Sequence, residues 1–197
     1  MKDISCHILD IVNNSVHAGA KVIEVNITKN GITGAFILQI SDNGTGIPEE
    51  MLTKVTDPFI TSSKLKKVGL GLPLLKQNAE LTGGSLRIHS DSYKGTEVWA
   101  IFDSKHIDMI PEGDIALSVK TIISAHPGIE LKFRYRENEE EFSMDTRDIK
   151  NELGNVKINA AEVLEFIRAM ITENIVALKQ ITLTDKHKTD LIYSNLR

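Results

Sequence analysis

Two pairs of alternating strands, each joined by a short turn, constrain the fold of this 197-residue chain more than any other feature. The first pair is KVIEVNIT and AFILQIS, separated by KNGITG, and the second is GSLRIHS and TEVWAIF, separated by DSYKG. Alternation of apolar and polar residues is typical of strands with one buried face. The glycines and asparagine in the first turn indicate that its strands form an antiparallel hairpin.

Helical patterns alternate with these strand pairs. Residues 4–18 are predicted to form a helix that begins after Asp3 and stops at Gly19. A short helix follows Pro48, and a longer one ends at the double glycine of residues 83 and 84. The order helix, hairpin, helix, loop, helix, hairpin predicts the α+β class, as a two-layer sandwich of helices on an antiparallel or mixed sheet.

The first helix has two chemically different sides. At about 100° per residue, one side is polar and carries His7, Asp10, Asn13, Asn14 and His17. The other side carries Ile4, Ile8, Ile11, Val12, Ser15, Val16 and Ala18. Taken alone, a polar side on an amphipathic helix is typical of a solvated surface.

Composition excludes several functions. The formal net charge of -4 disfavours association with a phosphate backbone, so nucleic acid is not an expected partner. Cys6 is the single cysteine, and it can neither form an internal disulfide nor hold an iron–sulfur cluster alone. No apolar run approaches the roughly 18 residues that span a bilayer, and the N-terminus lacks a signal-peptide pattern. We therefore expect a cytoplasmic protein without a membrane segment.

Four motifs follow one another within residues 7–104: ILDIVNNSVHAGA, DNGTGIP, DPFITSSK, and finally VGLGL with KGTEV. In this order they resemble the ATP-binding domain shared by gyrase B subunits, ninety-kilodalton heat-shock chaperones, histidine kinases and MutL-type repair proteins. This is the GHKL family, whose domain has the Bergerat fold. One glycine motif would be weak evidence because short glycine patterns recur by chance. Four in order, over about half of the chain, make the resemblance specific.

The resemblance implies a site for the adenine of ATP. Asp42 would accept a hydrogen bond from the exocyclic amine, and an acceptor-only carboxylate would discriminate against the carbonyl of guanine. Gly44 and Gly46 would let the backbone approach the base, and Ile47 would pack on it. Thr96 would reach the base from the far strand, although a surface threonine is the alternative at that position.

The resemblance also implies a site for Mg²⁺ and the phosphates. Asn14 would ligate Mg²⁺, since a neutral carbonyl oxygen on a rigid helix suits a hard cation. Gly69 and Gly71 precede a helix whose first amides would face phosphate oxygens. Lys67 stands where the commonest histidine-kinase pattern has another glycine. Lys64 would add positive charge near the phosphates, or would simply be solvated.

Asp10 determines what bound ATP is used for. It lies one turn before Asn14 on the same side of the helix. Hydrolytic relatives carry a glutamate here as general base, and aspartate keeps the carboxylate but is shorter by about 1.5 Å. Asp10 is therefore the candidate catalytic residue of a slow ATPase. His7 either holds Asp10 or is a surface histidine without a functional role.

Phosphate transfer to another protein is the function that the resemblance favours. Histidine kinases carry their phosphorylated histidine in a helical hairpin before the first motif, whereas six residues precede His7 here, so that reaction is not expected. Anti-sigma-factor kinases of the same fold phosphorylate a serine on a partner. We expect a phosphotransferase that acts in trans on a partner protein. The alternatives are a slow ATPase switch that uses Asp10 and a binding module gated by nucleotide.

Residues 105–197 are predicted to be a C-terminal α+β extension of unknown role, after an ATP-binding domain of residues 1–104. Its last helix begins at a capping box of Asn159 and Glu162 and continues to about Lys179. One face of this helix forms an apolar stripe of Val163, Phe166, Ile167, Met170, Ile171, Asn174, Ile175 and Leu178. The stripe is expected to dock on the extension's own hairpin, and the alternative is a homodimer seam. The whole chain also resembles small bacterial proteins encoded beside iron-only hydrogenase subunits, which implies a partner in those systems.

Overall fold

A computed structural model describes residues 2–52, 55–56 and 70–194. The helices are α1 (Ile4–His17), α2 (Glu49–Leu52), α3 (Gly71–Leu81), α4 (Ile115–Ala125), α5 (Thr146–Leu153) and α6 (Ala161–Ser194). The strands are β1 (Val22–Lys29), β2 (Ala35–Asp42), β3 (Ser85–Asp91), β4 (Gly95–Asp103), β5 (Glu130–Glu137) and β6 (Glu140–Asp145). Within these ranges, no helix has the length and apolar character needed to cross a membrane.

The six strands form one sheet in the order β3-β4-β2-β1-β5-β6. Neighbouring strands are antiparallel except β1 and β5, which run parallel. Helix α1 contacts β1 and β2, α3 contacts β3 and β4, and α6 contacts β5 and β6, while α4 packs against α1 and α6. The predicted α+β architecture, a helical layer on a mixed sheet, is confirmed.

One face of the sheet carries the core. Side chains at every second position of β1 are fully buried, at Ile23, Val25 and Ile27, and β2 and β4 repeat this alternation. The other face carries both polar and apolar side chains, and there Gln39 donates a hydrogen bond to Glu97 at 2.7 Å. Burial of one face fixes the strand register, because a slip by one residue would bring the polar set into the core.

The C-terminal hairpin extends this same sheet. β5 pairs with β1 along its whole length, from Val22 opposite Glu130 to Lys29 opposite Glu137. The parallel pairing is possible because α4 lies between the preceding strand and β5, as a crossover to a parallel strand requires. The division into domains at residues 104 and 105 stays a prediction.

Helix α6 packs its apolar stripe inside the molecule. Ile167 and Ile171 are fully buried, and the helix contacts α4, β5 and β6. Docking on the hairpin was therefore predicted correctly, although α4 shares the contact. The assignment of Phe166 to this stripe was wrong, because its side chain is 67% exposed. The helix also continues to Ser194, beyond the predicted end near Lys179.

A partly buried ion cluster connects α6 to the sheet. Glu112 lies 2.9 Å from the Nζ atom of Lys29 and 3.0 Å from that of Lys179. The hydroxyl group of Tyr135 is within hydrogen-bond distance of Glu112 and Glu137, at 3.0 and 3.2 Å. Burial alone would raise the pKa of Glu112, but the hydrogen bonds and charges of the two lysines lower it below its ordinary value. Charged groups at this depth are tolerated because each is paired.

The docking of α6 can be tested by truncating its side chains. Ile171→Ala should lower the free energy of unfolding by about 2–5 kcal/mol, because it leaves a cavity under the helix. Phe166→Ala removes more atoms but should change stability by only about 0.5 kcal/mol or less, since the ring is mostly in solvent. Urea unfolding of both variants gives the comparison. Equal losses would show that α6 does not pack as described.

Candidate functional site

The predicted adenine residues meet where β2 and β4 lie side by side. Antiparallel pairing puts Asp42, the last residue of β2, directly opposite Thr96. The Asp42 carboxylate accepts two hydrogen bonds, from the hydroxyl of Ser15 at 2.7 Å and from the amide of Gly44 at 2.8 Å. One donor therefore reaches each carboxylate oxygen, and each oxygen keeps a lone pair for a further donor.

Ser15 is a site residue that the sequence analysis missed. It was assigned to the apolar side of α1, and its side chain is indeed buried. A buried hydroxyl requires a hydrogen-bond partner, so its presence in an apolar stripe was a usable signal. The partner is Asp42, which lies 27 residues away in the chain. This contact joins α1 to the end of β2.

The loop after Asp42 is held between α1 and the turn that joins β3 to β4. The amide of Thr45 donates to the carbonyl of Ala18 at 2.9 Å, and the amide of Tyr93 donates to the carbonyl of Thr45 at 2.7 Å. Gly46 has a φ of +69°, and a Cβ atom there would lie 2.1 Å from the carbonyl oxygen of Asp91. The close approach at Gly46 is therefore to the protein's own backbone, and only glycine permits it.

Ser90 connects three parts of this region. It accepts a hydrogen bond from the amide of Ile47 at 2.8 Å and donates to the carbonyl of Gly95 at 2.8 Å. Its hydroxyl oxygen also lies 2.9 Å from that of Thr96. Ile47 and Thr96, two predicted adenine contacts, are thus brought together by a serine that the sequence analysis did not single out.

The polar side of α1 faces the start of α3. Asn14 is exposed, and its amide group donates to the Asp10 carboxylate at 3.4 Å, one turn earlier. Gly71 is buried against the same carboxylate, and a Cβ atom at this position would lie 1.6 Å from the Oδ2 atom of Asp10. Helix α3 begins at Gly71, and Pro73 stands in its first turn, where no hydrogen bond is lost.

Several predicted residues fall outside the described ranges. They are Lys64, Lys67 and Gly69, together with the segment DPFITSSK. Their predicted contacts with phosphate stay predictions. Among the described residues, the structure brings together two groups of candidates. The first is formed by Asp42, Gly44, Gly46, Ile47 and Thr96, and the second by Asp10, Asn14 and Gly71.

His7 is the clearest correction on α1. It was assigned to the polar side of the helix, but its side chain is completely buried. Its Nε2 atom lies 2.9 Å from the side-chain amide nitrogen of Asn78 on α3, whereas its Nδ1 atom has no hydrogen-bond partner among the residues that the structure describes. Burial lowers the pKa of His7 to about 4, so the ring is neutral near pH 7. Helix periodicity missed this position because α3 covers part of the polar side.

The burial of His7 predicts how stability depends on pH. Between about pH 6.5 and 4 the unfolded chain binds a proton at His7 that the folded protein does not bind, so stability should fall as the pH decreases through this window. The loss should approach roughly 3 kcal/mol. His7→Gln should remove this component, whereas His17→Gln, at an exposed position of α1, should not. Urea unfolding at several pH values tests it, and an unchanged pH dependence in His7→Gln would contradict the prediction.

Comparison with known families agrees with this geometry. A family model described as histidine kinase-, DNA gyrase B- and HSP90-like ATPase matches residues 6–106, just over half of the chain. The chain therefore belongs to this family of ATPases. The resemblance identified from the four motifs is confirmed.

Individual relatives match only this part. Sporulation kinase D of Bacillus subtilis is 36% identical over 91 residues, which cover 46% of this chain and 18% of the kinase. Sporulation kinase C of the same organism is 32% identical over 88 residues, covering 45% of this chain and 20% of that kinase. The match thus spans about a fifth of the length of either kinase.

A solved structure extends the likeness to the fold of most of the chain. The N-terminal domain of a DNA repair protein superposes with a TM-score of 0.51 at 15% identity, covering 80% of this chain and 59% of that one. At this identity the likeness shows the fold alone.

Proposed function

We propose that the protein binds Mg-ATP and transfers the γ-phosphate to a partner protein in trans. Membership of the ATPase family and similarity to histidine kinases support the nucleotide part of this proposal. The observation that carries it is the cross-strand pair of Asp42 and Thr96, with Ser15 and Gly44 holding the carboxylate.

Asp42 is suited to select adenine. Its carboxylate is half-buried and held from two sides, so it does not need to reorganise when a ligand donates to it. Such a carboxylate accepts a hydrogen bond from an amine, whereas it repels a carbonyl oxygen because both groups are acceptors. Thr96, opposite on β4, offers a hydroxyl oxygen that accepts, since Ser90 donates its own proton to Gly95 and therefore takes the proton of Thr96.

Asn14 is suited to hold Mg²⁺. Asn14 uses its side-chain amide nitrogen in the contact with Asp10, and within the described part of the chain its side-chain oxygen, Oδ1, accepts no hydrogen bond. Amide and carboxylate oxygens are ligands that Mg²⁺ accepts. The bound ion would neutralise charge on the phosphates, and Asn14 would be the protein's contact with it. The first amides of α3, beginning at Gly71, would face the phosphate oxygens.

The adenine assignment predicts the effect of Asp42→Asn. The amide group of the new asparagine would present a donor where adenine also donates, so the affinity for Mg-ADP should fall about 100-fold, as expected for losing a charge-assisted hydrogen bond of roughly 3 kcal/mol. Asp103→Asn removes the same charge at the opposite end of β4 and should keep wild-type affinity. Titration calorimetry measures both. Unchanged affinity in Asp42→Asn would discard the adenine assignment.

Hydrolysis is the second candidate function, and the position of Asp10 favours it. The carboxylate lies against the first residue of α3 and within 3.4 Å of the Asn14 amide, so a base is available beside the proposed metal and phosphate sites. As general base, Asp10 would accept the proton of an attacking water molecule. In the kinase, the acceptor hydroxyl of the partner takes the place of that water.

Labelled ATP distinguishes the two functions. We would incubate the protein with Mg²⁺ and γ-phosphate-labelled ATP, alone and with lysate of its source cells, and measure free phosphate and labelled protein together. Label on a partner supports the kinase, and proteins of iron-only hydrogenase systems are the first partners to test. Free phosphate that disappears in Asp10→Asn, with ADP affinity retained, supports the ATPase. Tight binding without either product would leave a nucleotide-gated binding module.

A further inference from the structure

A polar pair interrupts the contact between α1 and α3. Both helices otherwise bury apolar side chains, including Ile4, Ile8, Ile11, Leu75 and Ala79. Between them the side-chain amide of Asn78 lies 2.9 Å from the Nε2 atom of His7. Among the described residues, it is this hydrogen bond that links α1 to α3.

The protons of this pair can be assigned. The nitrogen of the Asn78 amide faces the ring, so it donates and the Nε2 atom of His7 accepts. The remaining proton of the neutral ring is then on Nδ1, which is buried and has no partner within residues 2–52, 55–56 and 70–194. A buried donor without a partner is unfavourable, so two apolar side chains would give a more stable interface. The effect of the pair is therefore on geometry, because a directional hydrogen bond fixes how two helices lie along each other.

The same two helices meet again at the candidate site. Gly71, the first residue of α3, lies against the Asp10 carboxylate, with no room for a Cβ atom. Gly71 precedes Asn78 by seven residues, or about 10.5 Å along the helix. Asp10 follows His7 by three residues on α1. Holding Asn78 against His7 thus fixes where α3 begins relative to Asp10 and Asn14.

We propose that His7 and Asn78 are positioning residues that set the start of α3 against Asp10 and thereby control the affinity for the phosphates of the nucleotide. This inference rests on the proposed function, since it takes the phosphates to bind at the start of α3. It concerns only the phosphate end of the site. The proposed adenine end is formed by Ser15, Asp42 and Thr96, and among the described residues the side-chain hydrogen bond of Asn78 goes to His7 and to none of these three.

The test compares the affinities of one variant for two ligands, Mg-ATP and adenosine. Asn78→Leu keeps the size of the side chain and removes the donor, so affinity for Mg-ATP should fall by about tenfold, corresponding to the loss of one ordinary hydrogen bond. Affinity for adenosine, which has no phosphate, should stay within about twofold of wild type. NMR titration measures both affinities. Asn78→Ala serves as the second variant where the leucine variant does not fold.

Two further variants separate positioning from general stability. His7→Gln should keep wild-type Mg-ATP affinity, because the glutamine oxygen can accept from Asn78 in place of Nε2. Gln77→Leu, exposed on the neighbouring position of α3, should also behave as wild type. Equal losses for adenosine and Mg-ATP, or full Mg-ATP affinity in the Asn78 variants, would overturn the inference. A wild-type protein that binds neither ligand would instead reject the proposed function.

Discussion

The pairing of β2 with β4 is the interaction on which the candidate site depends. In this pairing Asp42 lies opposite Thr96, which is 54 residues further along the chain, and other segments lie between them in sequence. Burial of Phe36, Leu38 and Ile40 on one face holds that register, since a shift by one residue would exchange the core and solvent faces. The position of the acidic group is therefore set by apolar packing along the whole strand.

Helix α1 connects this pairing to the rest of the site. Its buried side rests on β1 and β2, and Ser15 on that side reaches Asp42. Its polar side carries Asp10 and Asn14 toward the start of α3. The N-terminus of α1 is also anchored, since the amide of Ile4 donates to the carbonyl of Pro111 at 2.9 Å and Asp3 caps the first turn. One helix thus contacts both groups of candidate residues, the proposed adenine end and the proposed phosphate end of the site.

The C-terminal strands and helix α6 belong to the same sheet and helical layer as the candidate site. β5 adds to the sheet beside β1, and α6 covers its far end. Glu112 connects α1, β1 and α6. Its backbone carbonyl accepts a hydrogen bond from the amide of Ser5 on α1 at 3.0 Å, and its side chain contacts Lys29 on β1 and Lys179 on α6. The anchor of α1 and the anchor of α6 therefore share one residue.

Local pattern in the sequence determined the helices, the hairpins and the motifs, because periodicity and turn residues act between near neighbours. The motifs in it were sufficient to name Asp42 and Thr96, through the family resemblance, as predicted contacts of adenine, and helix periodicity identified Asp10 and Asn14 as neighbours on one helix face. Only the tertiary structure decided that Ser15 holds Asp42, that His7 is buried against Asn78, and that β5 joins β1. These contacts join residues far apart in the chain, and burial of a side chain depends on which distant element covers it. For His7 that element is α3, which no pattern within α1 could reveal.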